Sequence, residues 1–289
     1  MDKRKLLIQL DGDSQPSVFD RVVAYDAGAD EVLSYSGVTT KTVRDQVHGA
    51  IFTRGPKDLH RTAIFIGGSN VGLGEQLLAE VRKHMLPQYG LSVSVLLDPN
   101  GANTTAAAAV RAAARHLDLK ATKALVLGAT GPVGRRVGLL LARQGAHVRV
   151  GSREASRAES IVESIRAQAP DAQLEPVAAD PSGDLSAALS GCSLVIAAGA
   201  ASVLLLPRAA RQACLTLRVM IDLNAVPPAG IDGVSIGDKG VERNGVLAYG
   251  AIGVGDLKMK IHKAAIARLF ERNDQVLDAE EVYALGENL

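Results

Sequence analysis

Gly128, Gly131 and Gly134 lie in KALVLGATGPVGRRVGLLLARQGAHVRVGSR, where an apolar run enters the first glycine and an amphipathic pattern leaves the last. The chemistry this spacing offers is phosphate binding. Glycines keep the turn tight and let backbone approach a pyrophosphate, while the helix start presents N–H groups and the positive end of its dipole. The pattern is GxxGxxG and not GxGxxG, so its weight comes from context: strand before, helix after, strand next. The alternative is a tight strand-to-helix turn without a ligand. Thr130, Pro132 and Val133 complete the turn and join the candidate cofactor contacts.

The next strand ends in Gly151, Ser152, Arg153 and Glu154. An enzyme that uses NAD usually places a carboxylate at this point to bond the ribose hydroxyls. Gly151 and Ser152 offer none, whereas Arg153 has the planar fork that suits an adenosine 2′-phosphate. Arg157, one helical turn on, adds charge. This favours NADP, and Glu154 leaves use of NAD as well as NADP open. Solvated arginines at a helix start are the plainer reading. Two later strand ends, at Ala198–Gly199 and at Asp222–Asn224, should flank the nicotinamide, because open α/β sheets bind ligands outside the carboxyl ends of their strands.

Lys258 and His262 stand four residues apart after the glycine-rich loop 250–255, so on a helix they share a face, while Lys260 points elsewhere. They either line a cleft or form the polar side of an ordinary amphipathic helix. In LLDPNGANTTAAAA, the small polar residues Asp98, Asn100, Asn103 and Thr105 gather at a strand-to-helix loop, a good ligand cradle. Helix capping, for instance by Asn103, would need only one of them. Phe19 either belongs to the core or stacks on a flat ring. No GxSxG, HExxH or CxxC is present, so hydrolysis by a nucleophile or a metal has little support. Hydride transfer asks less of the side chains, because the cofactor carries the chemistry.

These residues need strands and helices to hold them. Apolar runs predict strands at 6–10, 50–53, 63–66, 91–97, 124–127, 147–150, 174–177, 194–197 and 219–222. Helical patterns lie between them, including 16–27 with Pro16 in its first turn, 103–117, 256–271 and 278–287. Such alternation predicts an α/β fold in two domains: a parallel α/β N-terminal substrate domain, and a Rossmann-type domain that binds NADP, around a cleft. Boundaries are expected at 119/120 and 273/274, with the C-terminal helix (274–289) returning to the first domain.

The chain has 289 residues, 47% of them hydrophobic and 3% aromatic. Its core must therefore rely on small and branched aliphatic side chains, as parallel sheets do. A formal net charge of +1 gives no field that favours nucleic acid or an anionic membrane. Cys192 and Cys214 have no His or Cys at metal-ligand spacing, so no metal site is expected. The N-terminal apolar run is too short for a signal peptide or a membrane span, which predicts a cytoplasmic protein.

Beyond the generic glycine turn, PSVFD at 16–20, TRG at 53–55, TAIFIGG at 62–68, LDPNGANTTAAA, AAGA at 197–200, PPAGIDG and GAIGVGDLKMKIHKA run nearly the whole length of the chain. In this combination the sequence resembles the bacterial NADP-dependent methylene-tetrahydromethanopterin dehydrogenases, distant relatives of methylene-tetrahydrofolate dehydrogenases. The resemblance implies an oxidoreductase of one-carbon metabolism that passes a hydride from a methylene-pterin to NADP. It implies a reduced pterin as substrate, and a homo-oligomer in which a neighbouring subunit helps to close the site. It also implies that Phe19, Thr105, Lys258 and His262 form the pterin site. Two rivals stay open: the same reaction on methylene-tetrahydrofolate, and a non-catalytic NADP-binding regulator.

Overall fold

The computed structural model describes residues 3–289. In chain order the elements are β1 (Leu6–Leu10), α1 (Val18–Asp26), β2 (Glu31–Tyr35), α2 (Val43–Phe52), β3 (Thr62–Ile66), α3 (Val71–His84), β4 (Ser94–Leu97) and α4 (Ala102–Ala114). There follow β5 (Lys123–Leu127), α5 (Pro132–Arg143), β6 (His147–Ser152), α6 (Ala155–Arg166), β7 (Leu174–Ala178), α7 (Ser186–Leu189), β8 (Leu194–Ala197), α8 (Arg208–Ala213) and β9 (Val219–Asp222). The chain closes with β10 (Lys239–Arg243), β11 (Val246–Tyr249), α9 (Ala251–Arg268), β12 (Val276–Leu277) and α10 (Ala279–Leu285). Two compact units result. The first holds residues up to Thr104 together with Met259–Leu289, and the second holds Thr105–Lys258. The divisions thus fall inside α4 and α9, where the sequence had marked 119/120 and 273/274. Among the described residues no helix is long and apolar enough to cross a membrane.

The first unit is a parallel sheet in the order β12-β4-β3-β1-β2. β3 and β4 are buried at every position, which explains their unbroken apolar sequences. Ile8, Leu10, Ile64, Ile66, Val95 and Leu97 meet Val47, Ile51, Leu77 and Val81 from α2 and α3 in one core. Residues 50–53, expected as a strand, lie in and just after α2. The reason is period: Val43, Val47, Ala50 and Ile51 are all buried, the spacing of one helix face. Pro16 lies outside α1, which Ser17 caps by accepting the backbone N–H of Asp20 at 3.2 Å.

The second unit orders its strands β10-β11-β9-β8-β5-β6-β7, parallel except for the edge strand β10. This is a doubly wound sheet, in which the strand order reverses at β5. β10 gave no apolar signature, since it contains no fully buried residue, and the short apolar β11 (VLAY) beside it was passed over. The glycine-rich stretch 250–255, expected as a loop, instead forms the first turns of α9. Gly250 and Gly253 allow this because a Cβ on either would strike backbone of Ser235 or Asp238.

Besides the β12–β4 pairing, one buried amide ties the returning C-terminal segment to the first sheet. Asn103, with no exposed surface, donates from Nδ2 to the Leu97 carbonyl at 2.6 Å and to Asp278 Oδ1 at 2.8 Å. Asp278 in turn caps α10 in a capping box with Glu281. Asn103→Leu orphans the buried Leu97 carbonyl and should lower unfolding stability by about 1–3 kcal/mol. A denaturant midpoint equal to wild type would show that the amide holds nothing.

Candidate functional site

In the second unit the β5–α5 turn is built by close backbone approach. Gly128 has φ of 70°, and a Cβ there would stand 2.6 Å from the Gly199 Cα. A Cβ on Gly134 would stand 2.5 Å from the Gly128 carbonyl oxygen. Gly131 begins α5 with no side-chain cap and Pro132 fills the first position, so the helix start presents backbone. Thr130 is exposed at the tip and Val133 is half-buried. β5 lies between β6 and β8, with Leu127 opposite both Gly151 and Ala197. The carboxyl ends of these three strands therefore bring Gly128–Gly134, Ser152–Arg153 and Ala198–Gly199 together at the point of reversal.

Two charged residues beyond β6 differ in what holds them. Arg153 is exposed; Arg157 is tied to Glu154 at 2.9 Å, with both side chains well exposed. Asp180, just past β7, is held below the usual carboxylate range by the backbone N–H and hydroxyl of Ser182, and the positive charge of Arg153 adds to this. Ser152 is buried, and its hydroxyl accepts the Glu154 backbone N–H at 3.3 Å. Asn224 is spent inside its own loop, donating to the Pro228 carbonyl at 2.9 Å and accepting from Val226 N at 3.0 Å. Asp222 organises that loop by accepting the N–H groups of Asn224 and Ile231, each at 3.0 Å. Burial pushes the Asp222 carboxyl up, against the pull of those donors.

In the first unit, β1, β3 and β4 end side by side, with Leu10 opposite Ile66 and Ile66 opposite Leu97. Here the residues of the expected cradle divide by burial. Asp98 and Asn103 are buried and act as scaffold: Asp98 accepts the N–H groups of Asn103 and Thr104 at 2.9 and 3.1 Å and the Thr104 hydroxyl at 2.6 Å. Asp98, not Asn103, therefore holds the start of α4. Asn100 is exposed at the loop tip with φ of 56°. Thr105 is half-buried on α4 in the second unit.

The strand ends also gather residues that the sequence reading passed over. Buried Asp11 accepts the N–H groups of Asp13 and Ser17 at 2.8 and 3.1 Å, and Asp13 holds Ser69 through its N–H and hydroxyl at 2.9 and 2.8 Å. A Cβ on Gly68 would stand 2.9 Å from Asp11 Oδ1. The signal was available: DGD after the first strand and GGSN after the third are acidic and glycine punctuation at carboxyl ends.

His262 is not on an open face of α9. It has no exposed surface, and its ring stacks on Phe65 at 5.7 Å between centroids and lies 6.4 Å from Phe19. Phe19 is 50% exposed, so of these two rings only Phe19 presents a face to solvent. Lys258, one helical turn earlier, is half-buried, whereas Lys260 is exposed.

Comparison with known proteins gives this geometry a context. Residues 18–100 match a family described as methylene-tetrahydromethanopterin dehydrogenase, N-terminal. A bifunctional protein MdtA of Methylorubrum extorquens is 42% identical, covering 99% of each chain. The NAD(P)-dependent methylenetetrahydromethanopterin dehydrogenase of the same organism is 30% identical, covering 98% of each chain. The chain belongs to the methylene-tetrahydromethanopterin dehydrogenase family. It is thus an enzyme of a dehydrogenase family of one-carbon metabolism that uses nicotinamide dinucleotides. Solved structures share the fold of this family member. A 5-ketofructose reductase of Gluconobacter sp. strain CHM43 superposes with a TM-score of 0.56 at 19% identity, covering 99% of each chain. A quinate dehydrogenase from Corynebacterium glutamicum, in complex with NAD, also gives 0.56, at 13% identity over 99% of this chain and 100% of that one.

The packing of His262 between Phe65 and Phe19 in this dehydrogenase has a direct readout. His262 should resist diethyl pyrocarbonate in the wild type and become modified in Phe19→Ala, as peptide mapping would resolve. Equal modification of His262 in both proteins would place the imidazole at the surface.

Proposed function

We propose that this enzyme oxidises methylene-tetrahydromethanopterin to its methenyl form and passes the hydride to NADP. The observation that carries the proposal is the glycine turn at the reversal of the second sheet, in a chain related over its full length to a methylenetetrahydromethanopterin dehydrogenase. The residues present fit a dinucleotide. Gly128, Gly131 and Gly134 leave a cradle that side chains would fill, and α5 starts without a cap. Around that cradle, Ser152, Arg153, Ala198 and Gly199 are the contacts we assign to the cofactor, with Thr130, Pro132 and Val133 along the turn. Arg153 would face the 2′-phosphate, since no carboxylate stands at the end of β6.

When bound, the nicotinamide supplies a hydride acceptor. What the chain itself must supply is orientation and exclusion of water. The reacting carbon lies between two nitrogens whose lone pairs drive hydride departure, and the resulting cation is delocalised over both. No proton has to be removed, so a general base has no task. Phe19 offers an exposed aromatic face for the pterin, and Asn100 and Thr105 offer polar atoms. Lys258 positions the substrate, since a full positive charge aimed at a forming cation would oppose the reaction. His262 supports Phe19 from behind, as its burial requires.

Steady-state assays with both reduced pterins and both nucleotides test the reading as a whole. The 42%-identical relative is called bifunctional, which makes the tetrahydrofolate arm of the assay a necessary one. Turnover of methylene-tetrahydromethanopterin with NADP is expected, and its absence would sink the proposal. Arg153→Ala should raise the KM for NADP while leaving that for NAD nearly unchanged. Glu154→Gln releases Arg157 from its ion pair and should lower the KM for NADP by only a few-fold, since exposed pairs are weak. Equal changes for both nucleotides would make Arg153 structural.

Lys258→Ala should cut turnover on the order of 100-fold with NADP affinity intact, whereas Lys260→Ala should do little. The pH profile of turnover should show no steep limb that belongs to a general base. Equal effects of the two lysine variants would take Lys258 out of the site.

A further inference from the structure

The connection between β7 and α7 carries two carboxylates in the same local arrangement. Asp180 accepts the backbone N–H and the hydroxyl of Ser182 at 2.9 and 2.8 Å, and Asp184 accepts those of Ser186 at 2.8 and 2.9 Å. These donors hold both carboxyls below the usual carboxylate range, so both are ionised at neutral pH. The positive charge of Arg153 adds to the lowering at Asp180 and not at Asp184.

The sheet explains the difference. β6 and β7 are parallel neighbours with Ser152 opposite Ala178, and the Ala179 N–H donates to the Ser152 carbonyl at 2.8 Å. Arg153 and Asp180 therefore leave adjacent strand ends at nearly the same height, and both are exposed. Asp184 stands four residues further along the connection. Both bonds from Ser182 fall on Asp180 Oδ1, so holding the loop does not occupy Oδ2. Glu154, the other acidic group at this edge, is spent on Arg157 at 2.9 Å.

We propose that Asp180 is a specificity-determining residue, an acidic counterweight to Arg153 that weakens the preference for NADP over NAD. The inference rests on the reading that Arg153 faces the 2′-phosphate. Its physics is competition between like charges. A phosphate monoester carries about −1.5 to −2 charge near neutral pH, and here it must share Arg153 with a carboxylate already beside it. A ribose 2′-hydroxyl brings no charge, so NAD is indifferent to the competition.

Dissociation constants of NADP and NAD for the full chain without pterin, measured by titration calorimetry at low and high salt, test this. The proteins compared are wild type, Asp180→Asn, Asp184→Asn and Arg153→Ala. Asn keeps an oxygen for Ser182, so the Asp180 variant retains its loop. Asp180→Asn should tighten NADP about two- to fivefold, the range that an exposed charge pair contributes, and leave NAD unchanged. The gain should shrink at high salt, where exposed charges are screened. Asp184→Asn should keep the wild-type ratio of the two constants. An unchanged ratio in Asp180→Asn, or the same change in both Asp variants, would overturn the proposal. Arg153→Ala separates that failure from failure of the cofactor reading. If it weakens NADP alone while Asp180→Asn changes nothing, the 2′-phosphate assignment stands and the role of Asp180 falls. If it leaves NADP binding intact, both fall.

Discussion

The contact on which the second unit depends is backbone against backbone, between the turn after β5 and the turn after β8. Gly128 and Gly199 approach so closely that a single methyl group on Gly128 would fall 2.6 Å from its neighbour. This approach places the end of β8 and the start of α5 side by side and keeps side chains out of the space over both. Gly134 completes the arrangement by letting α5 settle on the Gly128 carbonyl. A surface made of main chain has no side-chain rotamers to order on binding, so it is already organised for a ligand that carries phosphates.

The first unit reaches order by a different route. Its strand ends are held by buried carboxylates and an amide that satisfy backbone N–H groups: Asp11, Asp98 and Asn103. These polar groups are costly to bury unless fully bonded, and the bonds fix the loops they serve. The groups left at the surface here are Phe19, Ser69, Asn70 and Asn100. Buried residues of the loop shape it, and exposed ones present it.

Much of this was legible in the sequence, and the boundary of legibility is physical. Strands with two buried faces, such as β3, β5 and β8, announce themselves as apolar runs, and the glycine turn is local chemistry. Residues 50–53 misled because a short apolar run fits a strand as well as one turn of a buried helix face, and only the longer period from Val43 decides between them. Gly253 looks like a loop residue until the Asp238 carbonyl packed against it is seen. Asp98 and Asn103 looked like ligand contacts because the pattern of a capping network and that of a polar cradle are the same. Only burial separates them.

The pairing of β12 with β4 has a bearing on how the chain assembles. Val276 lies beside Val95, and the Gln275 N–H reaches the Ser94 hydroxyl across 181 residues. During synthesis the whole second unit emerges before this strand does. Until then β4 is a raw sheet edge, buried at every position in the finished protein but open to strand-to-strand association with other nascent chains. Closing so long a loop is entropically slow but adds little to its thermodynamic cost, which grows only with the logarithm of length. The first strands to be made therefore belong to the last sheet to be finished, and the vulnerable period of this protein is the time taken to translate its own middle.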